Sequence, residues 1–167
     1  MENRGFTLFE IITALAITAI LSISAVPAFF KLFQEYRLRS ASQQLFHLLT
    51  SARATAVMRN NQITVMNSNG DWSSGASLFE DDNGNGEQDT GEVILLHMAD
   101  NKSLAMLGNR WVANYIKFHP DGSAHTASGA FQVGTITVCT EQLDTGYQII
   151  LSIGGRLRMV KVDIDEC

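Results

Sequence analysis

The start of the chain contains an apolar run that few structures can accommodate. Between Phe6 and Phe30 the only ionisable side chain is Glu10. A helix needs about 20 apolar residues to cross the hydrocarbon core of a bilayer, so this run is long enough to span one. A carboxylate inside such a span costs about 2.5–3.5 kcal/mol on insertion scales, which makes Glu10 a functional-site candidate that needs a partner. A secretory signal peptide is the alternative, and it fits poorly because no small-x-small cleavage site follows the apolar core.

The residues that open this run resemble the processing site of type IV pilins and type II secretion pseudopilins; they are Gly5-Phe6-Thr7-Leu8-Phe9-Glu10. The resemblance implies that residues 1–5 are a leader, which a prepilin peptidase removes by cutting after Gly5. The same enzyme would methylate the new N-terminus at Phe6. The resemblance also implies that Glu10 guides filament assembly. A buried carboxylate is tolerated when a cation shares its surroundings, and the free amine of Phe6 in a neighbouring subunit would supply one.

Helical periodicity continues beyond the apolar run. Apolar residues recur at three- and four-residue spacing over residues 38–56, while polar residues fall elsewhere on the helical wheel. We therefore predict one helix over residues 6–59, about 80 Å long at 1.5 Å per residue. Residues 6–30 would be its membrane-spanning, filament-core half, and residues 31–60 an amphipathic half packed on the head. Pro27 removes one backbone hydrogen bond, so a kink or a locally melted turn is expected there.

Beyond residue 60, short β-rich runs separated by turn clusters replace the helical pattern. Seven strands are predicted: Gln62–Met66, Ala76–Phe79, Val93–Met98, Ala113–Phe118, Gly134–Cys139, Tyr147–Ile153 and Leu157–Ile164. Their number and spacing predict an α+β fold, in which residues 61–167 form a head of two small antiparallel β-sheets packed on the long helix. The segment from Trp72 to His97 and the turn from Phe118 to Gly122 resemble the FimT/GspH group of minor pilins and pseudopilins. That resemblance implies the type IV pilin-like fold.

Charge and cysteine content fit a single exported head. The chain has 167 residues and a formal net charge of −5, which argues against a surface coated with nucleic-acid-binding charge but still allows a local basic site. Its two cysteines, Cys139 and Cys167, are expected to pair in a head exported to the periplasm or cell surface. They would close a loop of roughly 29 residues, worth about 3.5 kcal/mol in the chain-entropy model. Two free thiols are the alternative.

The segment over residues 81–92 fits the pattern of an EF-hand calcium loop. Oxygen-bearing side chains stand at the ligand positions, a glycine stands at the sixth position, and a carboxylate ends the loop: Asp81, Asn83, Asn85, Gly86, Asp89 and Glu92. Strand-like segments rather than amphipathic helices flank the loop. The favoured alternative is therefore a solvated hairpin connection that is rich in Asn, Asp and Gly for conformational reasons. No cofactor is expected other than this candidate calcium ion.

A second candidate site lies near the C-terminus, at Gly155-Arg156-Leu157-Arg158, with Lys161 following. In a strand, residues two apart face the same side, so Arg156 and Arg158 would project together. Two guanidiniums beside glycines that let a backbone approach closely suit phosphate oxygens. The tetrapeptide is similar to the Gly-Arg-x-Arg motif with which the FimT branch of the family binds DNA during natural transformation. The alternative is an edge strand that alternating arginines protect from aggregation, and nearby acidic residues would weaken a basic patch.

Nothing in the sequence favours an enzyme. The four histidines show no metal-ligand spacing with one another or with the cysteines: His47, His97, His119 and His125. We therefore expect a minor pilin with a single inner-membrane span and a periplasmic head, assembled with other pilin subunits into a filament that reaches the cell surface. Sequence-independent DNA binding in natural transformation is the expected function. The alternative is a structural minor pilin or type II secretion pseudopilin without DNA binding; neither function needs a small-molecule substrate.

Overall fold

The computed structural model describes residues 7–167, so the leader and the predicted processing junction at Gly5 and Phe6 lie outside the described residues. One long helix, α1, is followed by eight strands and a short 3-10 helix, η1. In chain order they are α1 (Leu8–Arg59), β1 (Ile63–Ser68), β2 (Asp71–Glu80), β3 (Ile94–Met98), β4 (Ala105–Gly108), η1 (Arg110–Val112), β5 (Tyr115–Phe118), β6 (Gly134–Cys139), β7 (Thr145–Leu151) and β8 (Leu157–Asp163).

Both ends of α1 are closed by local hydrogen bonds. At the start, the Thr7 hydroxyl accepts a bond from the Glu10 N–H (3.3 Å), and the Glu10 carboxylate accepts one from the Thr7 N–H (2.8 Å). This reciprocal pair is a capping box. At the end, Asn60 takes a left-handed conformation (φ 53°), and Asn61 N–H donates to the Ala56 carbonyl (3.3 Å). That geometry satisfies a terminal carbonyl and stops the helix.

The chain divides into two units, one ending at Tyr36 and one running from Arg37 to Cys167. In the first unit, α1 is long and apolar enough to cross a membrane, and its large hydrophobic side chains are exposed. The helix is continuous through Pro27, so the predicted locally melted turn is absent from this isolated chain. In the second unit, the remaining turns of α1 bury an apolar stripe in the core of the head: Leu38, Ala41, Leu45, Leu49, Ala52 and Ala56.

The head contains two four-stranded antiparallel sheets, which confirms the predicted fold. One has the strand order β3-β2-β1-β5 and the other β4-β6-β7-β8. Two features were missed from the sequence: β4, and the first half of β2. Gly75 within β2 has a φ of 98°, and the partly exposed positions of this strand recur about every three residues rather than every two. Because half-buried strands are recognised by strict alternation, this segment gave no strand signal.

The predicted disulfide is confirmed. Cys139 at the end of β6 is bonded to Cys167, with their Cα atoms 5.7 Å apart. The bond ties the last residue of the chain to the second sheet, beyond the end of β8. It therefore restrains the C-terminal segment that follows the arginine-bearing strand.

Candidate functional site

The predicted basic site lies on the connection between β7 and β8, which we call the arginine hairpin (residues 152–158). Ser152 N–H donates to the Arg156 carbonyl, and Gly155 N–H donates to the Ser152 carbonyl, both at 3.0 Å. The Ser152 hydroxyl also donates to the Arg156 carbonyl at 3.0 Å. Gly154 and Gly155 have φ of 86° and 75°, a left-handed conformation that favours glycine. Local hydrogen bonds and two glycines therefore fix the turn that presents the arginines.

Both arginines of the hairpin are exposed, but they do not share one strand as the alternation argument assumed. Arg156 lies one residue before β8, in the turn, whereas Arg158 is paired with Ile150 of β7. Leu157 and Met159 pack against the core, so Arg158 between them faces outward. Within residues 7–167 neither guanidinium makes a hydrogen bond or an ion pair. Two adjacent cationic side chains are thus left available to a ligand.

Gly155 plays a different part from the one predicted. It is buried, and a Cβ built on it would lie 2.1 Å from the carbonyl oxygen of Gly122. The same oxygen accepts a hydrogen bond from Arg53 Nε of α1 at 2.8 Å. Because Gly155 has no side chain, the carbonyl of Gly122 can approach it closely. This space is therefore occupied by the protein's own backbone, where the hairpin docks on the turn that contains Gly122, and not by a phosphate. The exposed glycine beside the arginines is Gly154.

A side chain at Gly155 is expected to dislodge the hairpin. Gly155→Ala adds left-handed strain and a backbone clash, and we expect it to lower the free energy of unfolding by about 2–5 kcal/mol. Gly154→Ala is the matched control: its φ is also positive, yet a Cβ there would meet nothing within 4 Å. It is expected to cost about 1–2 kcal/mol, from strain alone. Urea unfolding of the detergent-solubilised full-length protein measures both, and equal losses would contradict the docking argument.

Acidic residues lie at the opposite end of β8 from the hairpin. Asp163 pairs with Thr145, five residues along the strand from Arg158, which corresponds to roughly 16 Å at 3.3 Å per residue. Exposed Lys161 lies between them, opposite Tyr147. Nearer the hairpin, Asp121 stands in the turn on which it docks, and hydrogen bonds from Ser123 lower the pKa of this carboxylate. The predicted weakening of the basic site by the C-terminal acids is therefore reduced by distance, while Asp121 remains a local negative charge.

A row of three ring side chains in contact lies at the same turn, and sequence analysis missed it. The rings of His119 and His125 are in contact with centroids 4.4 Å apart and planes tilted by 45°, and those of His125 and Phe131 with centroids 4.7 Å apart and a tilt of 39°. Burial lowers the pKa of His119 below its ordinary 6.5, and the positive charges of His125 and Lys117 add to this effect. Its Nε2 is buried without a hydrogen-bond partner. No sequence signal identifies the row, because isolated bridges rather than regular strands bring the rings together.

The lowered pKa of His119 predicts acid sensitivity of the head. Since the folded state resists protonation, His119 favours folding above its unfolded pKa of about 6.5, and this contribution is lost as the pH falls through the lower folded value. His119→Gln should therefore flatten the decline of melting temperature between about pH 7.5 and pH 5. Solvent screening keeps the difference below about 1 kcal/mol. His97→Gln, at an exposed position, should leave the wild-type decline unchanged; a matching decline in all three proteins would contradict the assignment.

The structure places the predicted calcium ligands in the β2–β3 connection. Asp81 is buried, whereas Asn83 and Asn85 both donate to the carboxylate of Asp89, at 2.7 and 2.8 Å. Glu92 accepts bonds from the N–H groups of residues 82 and 89, at 3.2 and 2.9 Å. Over residues 7–167 no group of three or more His, Cys, Asp or Glu is arranged to hold a metal ion. A cation at this loop would therefore also need the asparagine oxygens.

Glu10 has a structural role that sequence analysis overlooked. One oxygen of its carboxylate accepts hydrogen bonds from both the N–H and the hydroxyl of Thr7, at 2.8 and 3.0 Å. The Thr-x-x-Glu spacing is itself the signature of a capping box, so this role was readable from the sequence. This capping role does not conflict with an assembly role, because the hydrogen bonds from Thr7 leave the negative charge of the Glu10 carboxylate in place.

Comparisons with known proteins place this fold in a family. Residues 41–155 match the family described as "Type II transport protein GspH", and residues 1–26 match the "Prokaryotic N-terminal methylation motif". No curated protein matches the chain. The described fold is similar to crystal structures of the type IV minor pilin FimU of Pseudomonas aeruginosa. One, in space group P21, has a TM-score of 0.60 and 20% identity, over 76% of this chain and 90% of that chain.

A second FimU crystal structure, in space group P65, gives a TM-score of 0.58 at 21% identity, over 74% of this chain and 92% of that chain. The minor pseudopilin EpsH from the type 2 secretion system of Vibrio cholerae gives 0.55 at 11% identity, over 74% and 95%. At these identities the structural matches show the fold alone. The family match covers more than half of the chain and includes most of the head. The chain therefore belongs to the GspH family of type IV pilins and pseudopilins.

Proposed function

We propose that this protein is a minor pilin that binds DNA through the arginine hairpin and contributes to DNA uptake in natural transformation. A minor pilin or pseudopilin role follows from the family, and DNA binding is the step beyond it. The observation that carries the proposal is the pair of exposed guanidiniums, Arg156 and Arg158, neither of which has a partner within the described part of the chain.

Electrostatics support a phosphate ligand despite the net charge of −5. Exposed charges interact over about one Debye length, near 8 Å at physiological ionic strength. Arg158 is roughly two such lengths from Asp163 along β8, by the spacing of a strand. The field at the hairpin therefore comes mainly from the arginines, with Asp121 in the docked turn as an opposing charge.

Guanidinium groups bind the phosphates of DNA regardless of its nucleotide sequence. Each presents parallel N–H donors that match phosphate oxygens, whereas base identity is read from groove edges. Two or three cationic contacts give weak binding for one head. A filament that presents several heads would gain affinity through avidity.

The test is a binding titration of the full-length protein in detergent micelles against fluorescein-labelled duplex DNA. Two unrelated sequences should bind with equal affinity, because phosphate contacts carry no sequence information. The logarithmic salt dependence should have a slope of about −2 for two neutralised phosphates. Absence of binding at low salt, or a slope near zero, would overturn the proposal.

The second candidate function is a purely structural subunit of a pilus or of a type II secretion pseudopilus. The observation that favours it is the position of β8 at the edge of its sheet, where the exposed cations Arg158 and Lys161 protect against edge-to-edge pairing. In that case a folded protein would show no salt-dependent DNA binding. Neither candidate function requires catalysis or a small-molecule substrate.

Both candidate functions require the same membrane anchor and the same assembly of the protein into a filament. We propose cleavage by a prepilin peptidase after Gly5, a single inner-membrane span in residues 6–30, and a head in the periplasm. Glu10 would pair with the amine of Phe6 in a neighbouring pilin subunit. The methylation motif over residues 1–26 and the apolar helix support this arrangement.

Two substitutions at Glu10 separate its charge from its capping role. Glu10→Gln keeps an oxygen that can accept the Thr7 bonds, whereas Glu10→Ala removes both cap and charge. Both variants should insert into the membrane, and both should be depleted several-fold from sheared filaments because the neighbouring amine loses its counter-charge. Quantitative immunoblots of the filament fraction, normalised to the membrane fraction, give the readout. Normal incorporation of Glu10→Gln would show that capping alone explains this residue.

A further inference from the structure

We propose that the β2–β3 connection, residues 81–92 (the acidic loop), binds one calcium ion through Asp81, Asn83, Asn85, Asp89 and Glu92. This inference is independent of DNA binding. It rests on a buried carboxylate oxygen that lacks a partner, in a loop whose other candidate ligands are held by hydrogen bonds to one another and to the loop backbone.

The unpartnered oxygen belongs to Asp81, whose exposed fraction is 0%. Its Oδ2 accepts hydrogen bonds from the Thr64 hydroxyl (2.7 Å) and from the N–H of Gly86 (3.0 Å). Its Oδ1 is buried and accepts none. Since Oδ2 is bonded to an N–H five residues further along the loop, the carboxylate points into the loop. A buried carboxylate oxygen without a donor is costly, and a cation would satisfy it.

The remaining candidate ligands are linked by hydrogen bonds within the loop, although over residues 7–167 the carboxylates alone are not arranged to hold a metal ion. Asn83 Nδ2 and Asn85 Nδ2 both lie within hydrogen-bond distance of Asp89 Oδ2, at 2.7 and 2.8 Å. The oxygens of both amides accept backbone hydrogen bonds, Asn83 Oδ1 from the N–H of Asn85 at 3.0 Å and Asn85 Oδ1 from the N–H of Glu87 at 2.7 Å. An amide oxygen has two lone pairs, so each can also bind a cation. Glu92 folds back over the start of the loop, where its Oε1 accepts a bond from the N–H of Asp82 at 3.2 Å. Calcium accepts six to eight such oxygens in flexible geometry, whereas magnesium demands a near-ideal octahedron.

The charge around the loop also favours a divalent cation. Five carboxylates lie within residues 81–92, and Lys117 brings one ammonium to them. Lys117 is 3% exposed, and its Nζ donates to the Gly84 carbonyl at 2.5 Å. Burial lowers the pKa of Lys117, while the charge of Asp81 opposes that shift. Among the described residues no ion pair within 4 Å joins the two, so Lys117 supports the loop backbone and leaves Asp81 Oδ1 unpaired.

The test is calorimetric titration of calcium into the EDTA-treated full-length protein in detergent micelles. A dissociation constant of about 10⁻⁴–10⁻³ M is expected, the range of extracellular calcium modules. Asp89→Asn should weaken binding at least tenfold; it is preferred to Asp81→Asn because Asp89 is exposed and its loss leaves the sheet contacts intact. Asp82→Asn is the matched control, since Asp82 is exposed in the same loop and loses the same charge. It should change affinity less than twofold.

A terbium titration gives an independent readout. A Cβ at Gly86 would lie 2.8 Å from Cε2 of Tyr115, so the tyrosine ring packs on the loop and can sensitise bound terbium. Calcium should displace that luminescence, and Tyr115→Phe should remove most of it without changing the calcium affinity. Three results would overturn the proposal: no binding by either method, equal weakening by Asp89→Asn and Asp82→Asn, or magnesium binding as tightly as calcium.

Discussion

Replacing both Arg156 and Arg158 with glutamine is expected to abolish DNA binding by this protein. Each arginine that neutralises one phosphate contributes about one unit of the logarithmic salt slope, so the double variant should lose both units and nearly all affinity. The fold should be unaffected, because both side chains are exposed and make no hydrogen bond or ion pair within residues 7–167. Surface substitutions of this kind change stability by about 0.5 kcal/mol or less. Anisotropy titrations and circular dichroism on the same preparations measure both quantities.

Arg110→Gln is the matched control for this experiment. Arg110 is an exposed arginine of the head, in η1 rather than in the hairpin, and the substitution removes one positive charge. It should leave affinity and salt slope close to wild type. If Arg110→Gln weakened binding as much as a single hairpin substitution, binding would depend on total charge. If the folded double variant bound DNA and supported transformation normally, the structural-subunit function would stand instead.

Trp72→Ala is expected to lower the free energy of unfolding of the head by about 3–5 kcal/mol, the range for deleting a buried tryptophan side chain. Trp72 lies in β2 and is 1% exposed, and its indole N–H donates to the Val112 carbonyl at 3.0 Å. Val112, in η1, in turn fills the space left by Gly108 of β4 and Gly134 of β6. The tryptophan therefore links the first sheet to the second, and its loss should affect both.

Trp72→Phe separates packing from hydrogen bonding at this position. Phenylalanine retains most of the buried ring but leaves the Val112 carbonyl without its donor, which should cost about 1–3 kcal/mol. Urea unfolding monitored by far-ultraviolet circular dichroism gives both values on the detergent-solubilised full-length protein. A cost below 1 kcal/mol for Trp72→Ala would show that the sheets hold together without this residue.

Secondary-structure elements that produce a recognisable pattern in their own residues were predictable from the sequence. The apolar run and the three- and four-residue periodicity that follows it define α1, because a helix repeats its buried face within its own turns. Short alternating or β-rich runs between turn clusters identified β6 and β8 with nearly the observed bounds. The pairing of Cys139 with Cys167 followed from their number and the expected compartment. By contrast, Gly75 broke the alternation of β2, and β4, only four residues long, lacked a signal.

The candidate sites depend on contacts between segments far apart in the chain. Local patterns in the chain predicted the membrane-length helix, the two-sheet head and the arginine motif at residues 155–158. Tertiary packing is what docks Gly155 on Gly122 while both arginines stay exposed. It also buries Asp81 against Thr64 with one carboxylate oxygen unpaired. The physical reason is that periodicity reports which face of an element is buried, whereas steric fit and hydrogen-bond satisfaction depend on whichever segment packs against it.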